Sequence, residues 1–179
     1  MLLLAHGVTT IREVGDADGT TWRGQERIER GMVPGPRVFT CGPVLDGDPP
    51  FLPTSRVIRD ATEAREAVTT LAARGADFIK VHHKVSAEVL AAVHGAADEA
   101  GLYVVGHIPV SVPFEQANVW DMQHLDGLIP YCGSPIRRPY GQRMRQVGAL
   151  MCVRRRPGIV TSPGMTSLWY NSVILHFRA

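Results

Sequence analysis

The sequence predicts an α/β fold in which short parallel strands alternate with helices, as in part of a TIM-type (β/α)8 barrel. Two helix-like segments are each closed by a glycine and followed at once by an apolar run, within residues 60–81 and 86–107. These runs are continuously apolar, which is typical of strands covered on both faces. Each also has a polar residue at its end, Lys80 or His107, and the next predicted strand ends in His124.

The length and composition suit one soluble domain. The chain has 179 residues, fewer than the about 250 of a complete barrel. Its hydrophobic content of 45% is ordinary, and no stretch approaches the roughly 18 apolar residues of a membrane span. The three cysteines form no C-x-x-C pattern, so neither a disulfide scaffold nor a zinc finger is indicated. If Met1 is the authentic start, we expect a cytoplasmic protein; a homo-oligomer is left open.

The charges divide the chain into two unlike parts. All 17 acidic residues lie at or before Asp126, whereas residues 127–179 carry eight arginines and no lysine. An acid-free arginine tail suits phosphate contacts, so the alternative function is a non-catalytic α/β domain whose tail binds nucleic acid or another polyanion. Nucleic acid is the less favoured partner, because no recognised motif accompanies the arginines.

Five segments are predicted in the first third of the chain. Residues 1–7 end a helix at a glycine. β-Branched residues predict a strand over 8–14, followed by a mostly polar helix over 22–32. A second strand spans 37–41. The next stretch, 42–53, contains four prolines and is predicted to be loop throughout.

Two helix–strand units and a shorter third follow. Helices are predicted over 60–74 and 86–101, because their apolar residues recur every three or four positions. Each begins at a capping residue, Asp60 or Ser86, and is closed by glycine. The remaining predicted elements are strands over 77–81 and 102–107, a short helix beginning near Pro113, a strand over 121–124, a helix over 140–153 and a strand over 159–161.

The polar residues at the strand ends predict a metal site. Period-two alternation places Phe78, Lys80 and His82 on one side of their strand. If Lys80 points into the crowded barrel interior, its pKa falls, and the neutral amine can take up carbon dioxide to form a carbamate, a ligand able to bridge two metals. His107 and His124 would supply imidazole nitrogens, which suit zinc-class ions.

Each residue also has a simpler interpretation. A single lysine near a strand end is most often a surface residue or a salt-bridge partner. A single histidine is most often a satisfied core or loop residue. The occurrence of Lys80, His107 and His124 at three successive strand ends favours the metal site, whereas His82 is only a weak candidate for substrate contact.

Five segments resemble the metal-dependent amidohydrolase superfamily, particularly its imidazolonepropionase-like and prolidase-like branch. They occur in the family's order and are similar to its second to sixth strands. The segments are residues 3–15 (LLAHGVTTIREVG), 35–43 (GPRV and, after two residues, CGP), 75–81 (GADFIKV), 105–109 (VGHIP) and 123–127 (QHLDG).

The resemblance implies an amide-bond hydrolase, with a dipeptidase as one example, that uses metal-activated water. It implies one or two divalent metals, zinc first, with Lys80 as the carboxylated bridging ligand and His107 and His124 on the second metal. A small-molecule or dipeptide-like substrate is the implied partner, and His82 lies where it would meet that substrate.

The family pattern has two departures in this sequence. The His-x-His pair of the first strand would precede Met1, and no acid after Asp126 can supply the eighth-strand Asp, so no general base is assigned. We therefore expect strands two to about seven of a barrel over residues 1–130, with unpaired edges on the end strands. Residues 131–179 are expected to be a barrel remnant or an out-of-frame tail.

Overall fold

The computed structural model describes residues 2–123, 169–170 and 173–175. Helices and strands alternate through most of this range. In chain order the elements are α1 (Leu2–Ala5), β1 (Thr10–Glu13), α2 (Thr20–Glu29), β2 (Arg37–Thr40), β3 (Leu45–Asp46), β4 (Arg56–Val57), α3 (Ala61–Ala73), β5 (Phe78–Val81), α4 (Ala87–Glu99), β6 (Tyr103–Gly106), α5 (Phe114–Ala117), β7 (Asp121–Met122), β8 (Trp169–Tyr170) and β9 (Val173–Leu175).

Five parallel strands form an arc in chain order. β1 pairs with β2, and β5, β6 and β7 pair in sequence in a second sheet. The two sheets meet between β2 and β5, where the Asp77 N–H donates to the Thr40 carbonyl at 2.9 Å and the Thr40 N–H donates to the Asp77 carboxylate at 2.8 Å. The order β1–β2–β5–β6–β7 is that of an unclosed barrel segment, which confirms the predicted fold class.

The long helices follow from their sequence spacing. The Asp60 side chain accepts hydrogen bonds from two N–H groups at the start of α3, and Ser86 does the same for one N–H of α4. Their apolar faces pack with Ile79 and Val81 of β5 in one large core. Both helices were predicted within two residues at either end. None of the helices in the described part of the chain has the length and apolarity needed to cross a membrane.

Helix α2 begins two residues earlier than the predicted Trp22. The Asp16 carboxylate accepts hydrogen bonds from the N–H groups of Thr20 and Thr21, at 3.2 and 2.8 Å. These bonds satisfy backbone donors that the first helical turn leaves unpaired. The helix therefore starts at Thr20, where the carboxylate stabilises its first turn.

The prediction that residues 42–53 are loop throughout is wrong. Leu45 and Asp46 form strand β3, which lies between β4 and β5 and runs parallel to both. The four prolines flank this strand rather than interrupt it. Leu45 is fully buried, so the backbone groups beside it are paired in the sheet because water cannot reach them.

The expectation of unpaired end strands is wrong at β1. Strand β9 pairs with β1 in antiparallel orientation, and β8 pairs with β9. An open strand edge presents a row of unpaired N–H and C=O groups, and β9 satisfies those of β1. The helix predicted over 140–153, the strand over 159–161 and the boundary at residue 130 lie outside the described residues.

Candidate active site

Lys80 lies on the inner face of the arc. Ile79 and Val81 belong to the core beneath the helices, whereas Phe78 belongs to a separate cluster with Val14, Cys41 and Val105. Because side chains alternate along a strand, Lys80 shares the side of Phe78. Lys80 is only 3% exposed to solvent. Lys80 therefore points into the arc, which is the condition under which a lowered pKa was expected.

Burial lowers the pKa of Lys80 to about 8, because the ammonium form is poorly solvated inside the arc. The positive charge of Arg12 acts in the same direction, whereas Cys41, Asp121 and Glu13 favour the charged form. The Lys80 Nζ donates a hydrogen bond to the Gln123 Oε1. A much larger share of neutral amine is thus present near neutral pH than for an exposed lysine.

His107 directly follows β6, the strand adjacent to that of Lys80. Lys80 pairs with Val105 in the register, and the His107 N–H donates to the Val81 carbonyl at 3.2 Å. The histidine is 5% exposed. The fold therefore brings Lys80 and His107 to the carboxyl ends of adjacent strands. His124, the third predicted ligand, lies outside the described residues.

Three imidazole rings gather at this end of the sheet. The His107 ring centroid lies 4.1 Å from that of His82 and 4.4 Å from that of His83. His82 is also stacked on the partly exposed Phe51, with ring centroids 5.0 Å apart. The cluster lies where loops that follow parallel strands contact substrates in barrels.

Asp46 organises the loops around this cluster. Its fully buried carboxylate accepts hydrogen bonds from the N–H groups of Gly47, Phe51 and Lys84, at 2.9, 2.7 and 2.8 Å. Its Oδ2 lies 3.6 Å from the His82 Nδ1. Asp46 was not predicted as a site residue, because residues 42–53 were expected to be loop; only its burial in β3 identifies it.

A charged pair crosses the interior of the arc. Arg12 of β1 contacts the carboxylate of Asp121 of β7, and its guanidinium carbon lies 5.2 Å from the centroid of the Phe78 ring. The pair links the first and last strands of the arc across its interior, so it helps to hold these two strands at a fixed distance. Glu13 lies nearby, and burial raises the pKa of its carboxyl group.

Gly106 allows β6 to approach the strand that carries Lys80. Its φ is +133°, and a Cβ there would lie 2.2 Å from the Val81 carbonyl oxygen and 3.1 Å from the Lys80 Cδ. The backbone oxygen cannot move without breaking the sheet. We expect Gly106→Ala to lower the free energy of unfolding by about 2–4 kcal/mol, measured by urea denaturation.

Gly95→Ala is the matched control. Gly95 lies inside α4 with no heavy atom within 4 Å of an added Cβ, so alanine is expected to stabilise the helix by about 0.5–1 kcal/mol. Equal effects of the two substitutions would contradict the close approach at Gly106.

The described residues fit a divalent metal as a partial ligand set. His107 offers a buried imidazole, and the Lys80 amine has the desolvation that carbamate formation requires. Within residues 2–123, no group of three or more His, Cys, Asp or Glu side chains is arranged to hold a metal.

Solved structures resemble the chain over most of its length. A bottromycin amidohydrolase is 26% identical with a TM-score of 0.68, over 84% of this chain and 34% of that protein. A prolidase from Bifidobacterium longum is 26% identical with a TM-score of 0.53, over 64% of this chain and 31% of that protein. A further amidohydrolase is 25% identical with a TM-score of 0.50, over 65% of this chain and 37% of that protein.

No protein-family model and no curated protein matches the sequence. The chain spans about a third of the length of the solved proteins that it resembles. Those proteins carry hydrolase names, and their likeness agrees with the barrel segment found here.

Proposed function

Because this chain belongs to the amidohydrolase superfamily, we propose that it is a metal-dependent hydrolase of amide-type C–N bonds. A small-molecule or dipeptide-like substrate suits the prolidase likeness and the position of the imidazole cluster. One observation carries the proposal. Lys80 and His107 are both buried at the carboxyl ends of adjacent parallel strands, the end at which barrel enzymes place their chemistry.

In this proposal His107 and Lys80 are metal ligands, with Lys80 in its carbamate form. His124 is proposed as the third ligand because it lies just beyond the carboxyl end of β7, the strand next to β6, where the family resemblance also places a ligand. Zinc is the first metal to test, since imidazole nitrogen suits it. A bound divalent metal would polarise the scissile carbonyl and activate water for attack.

The surrounding residues would orient the ligands and the substrate. Asp46 fixes the loop of Phe51 and the backbone of Lys84, which brackets His82 and His83. His82 is proposed to contact substrate, because it lies between the partly exposed Phe51 ring and His107. Because Lys80 and His107 are buried, little water surrounds them, and electrostatic interactions at the site are therefore stronger.

The direct test combines zinc uptake with amide hydrolysis. The purified 179-residue chain is dialysed against zinc, assayed for bound metal, and incubated with a panel of dipeptides and N-acyl amides. We expect weak zinc uptake and at most a slow release of amine, since no general base is assigned, and a chelator should abolish this release and added zinc restore it. Failure to bind zinc, or hydrolysis unaffected by the chelator, would contradict the proposal. Zinc uptake without any hydrolysis would support metal binding by this chain but not the hydrolase function.

The alternative function is a non-catalytic domain with a polyanion-binding tail. The arginines concerned lie outside the described residues, so this alternative stays a prediction. Retention on heparin that falls with salt, and is lost on deletion of residues 137–179, would support it.

A further inference from the structure

The side-chain amide of Gln123 has one satisfied end and one unsatisfied end. The residue is 1% exposed, and its Oε1 accepts the hydrogen bond from the Lys80 Nζ. The Nε2 of the same amide is buried and has no hydrogen-bond partner among the described residues. A buried donor left unpaired costs about 1–3 kcal/mol, so an amide in this position calls for an explanation.

The backbone holds this amide beside the end of the lysine. The Gln123 N–H donates to the Gly106 carbonyl at 2.7 Å, which ties the residue to β6. Gly106 in turn lies against the Lys80 side chain, because a Cβ there would be 3.1 Å from the Lys80 Cδ. Gln123 therefore stays next to the lysine nitrogen, whichever way its amide is turned.

We propose that Gln123 is a positioning residue for a carbamate on Lys80. The Gln123 side-chain amide would turn over, so that its Nε2 donates a hydrogen bond to a carbamate oxygen. The inference rests on the proposed function, which requires that carbamate. In the reaction, the lone pair of the neutral Lys80 amine forms a bond to the carbon of carbon dioxide. One carbon–oxygen π pair moves to oxygen, and the nitrogen loses a proton to water. One carbon dioxide is consumed and one proton released.

An amide suits both forms of the lysine, because it presents an acceptor at one end and a donor at the other. The acceptor serves the ammonium form, as the structure shows, and the donor would serve the carbamate. A carboxylate would bind the ammonium and repel the carbamate, whereas an apolar side chain would bind neither. The charge of Arg12 would favour an anion on Lys80, whereas the carboxylates of Asp121 and Glu13 would oppose it.

The test measures carbamate formation directly, without metal. The full chain is equilibrated with ¹³C-labelled bicarbonate, and the carbamate carbon is followed by NMR as bicarbonate is raised. The chain has two lysines, Lys80 and the exposed Lys84, so loss of the signal in Lys80→Met assigns it. Gln123→Met keeps the side-chain length but removes the amide, and Gln123→Glu adds a negative charge. Gln116→Met, at an exposed position, is the matched control.

Above pH 8, where the Lys80 amine is mostly neutral and loses little when the Gln123 amide is removed, we expect Gln123→Met to weaken carbon dioxide uptake by about ten- to one-hundredfold, the effect of losing one hydrogen bond to the charged carbamate. Gln123→Glu should weaken it further, and the control should match the wild type. Thermal unfolding should show that Gln123→Met remains folded, since the substitution also removes an unsatisfied buried donor.

The two possible failures are distinguishable. If the wild type forms no carbamate on Lys80 at saturating bicarbonate, the carbamate of the proposed function is wrong, and this inference with it. If the wild type forms it and both Gln123 variants form it equally well, only the role of Gln123 is overturned, and the carbamate stands.

Discussion

His107→Ala is expected to lower the affinity of the chain for zinc by more than about a hundredfold. Loss of residues that only orient a metal ligand already costs ten- to one-hundredfold in affinity, so loss of a ligand should cost more. His107 is buried at the end of β6, beside Lys80, and water cannot take the place of its imidazole without opening the site. The measurement is a zinc titration by isothermal calorimetry in bicarbonate buffer.

His6→Ala is the control for this titration, because His6 is exposed and lies in the first turns of the chain. It should bind zinc as the wild type does. If His107→Ala also binds with wild-type affinity while its thermal unfolding shows a folded protein, His107 is not a ligand. The proposed metal site would then have no histidine ligand among the residues that the structure describes.

Lys80→Met is expected to stabilise the metal-free chain at pH 7 while abolishing carbamate formation. Burial lowers the pKa of Lys80 from 10.5 to about 8, and this difference corresponds to about 3 kcal/mol of unfavourable burial when the lysine is charged. Loss of the hydrogen bond from the charged Nζ to Gln123 offsets about 2 kcal/mol of the gain. The expected net increase in the free energy of unfolding is about 1 kcal/mol at pH 7.

The pH dependence gives the sign of this effect. Between pH 8 and 10.5 the unfolded state holds the Lys80 proton and the folded state has lost it, so the wild type gains stability as pH rises. Below that range the full penalty is present, and above it none remains. The advantage of Lys80→Met should therefore shrink steadily from pH 8 to 10.5.

Urea denaturation in carbonate-free buffer, at several values of pH, measures the difference between variant and wild type. Lys84→Met is the matched control, because Lys84 is exposed and should shift stability by less than about 0.5 kcal/mol at every pH. A Lys80→Met variant that is less stable than the wild type at pH 7 would show that the ammonium is satisfied where it lies.

Much of the fold was predictable from local spacing. The apolar residues of α3 and α4 recur at helical intervals, and the apolar runs of β5 and β6 follow at once. Strand β3 was not predictable in this way. Two residues among four prolines carry no periodic signal, and only pairing with β5 and β4 makes them a strand.

The sequence by itself determined that parallel strands alternate with helices and that Lys80 and His107 stand at the ends of two of them. Those features depend on residues close together in the chain, where the spacing of apolar side chains decides the element. The tertiary structure alone decided what surrounds the lysine. Gln123 is 43 positions from Lys80, and Asp121 is 109 positions from Arg12. Such contacts exist only because the strands curve into an arc, which brings the first and last of them across one buried interior.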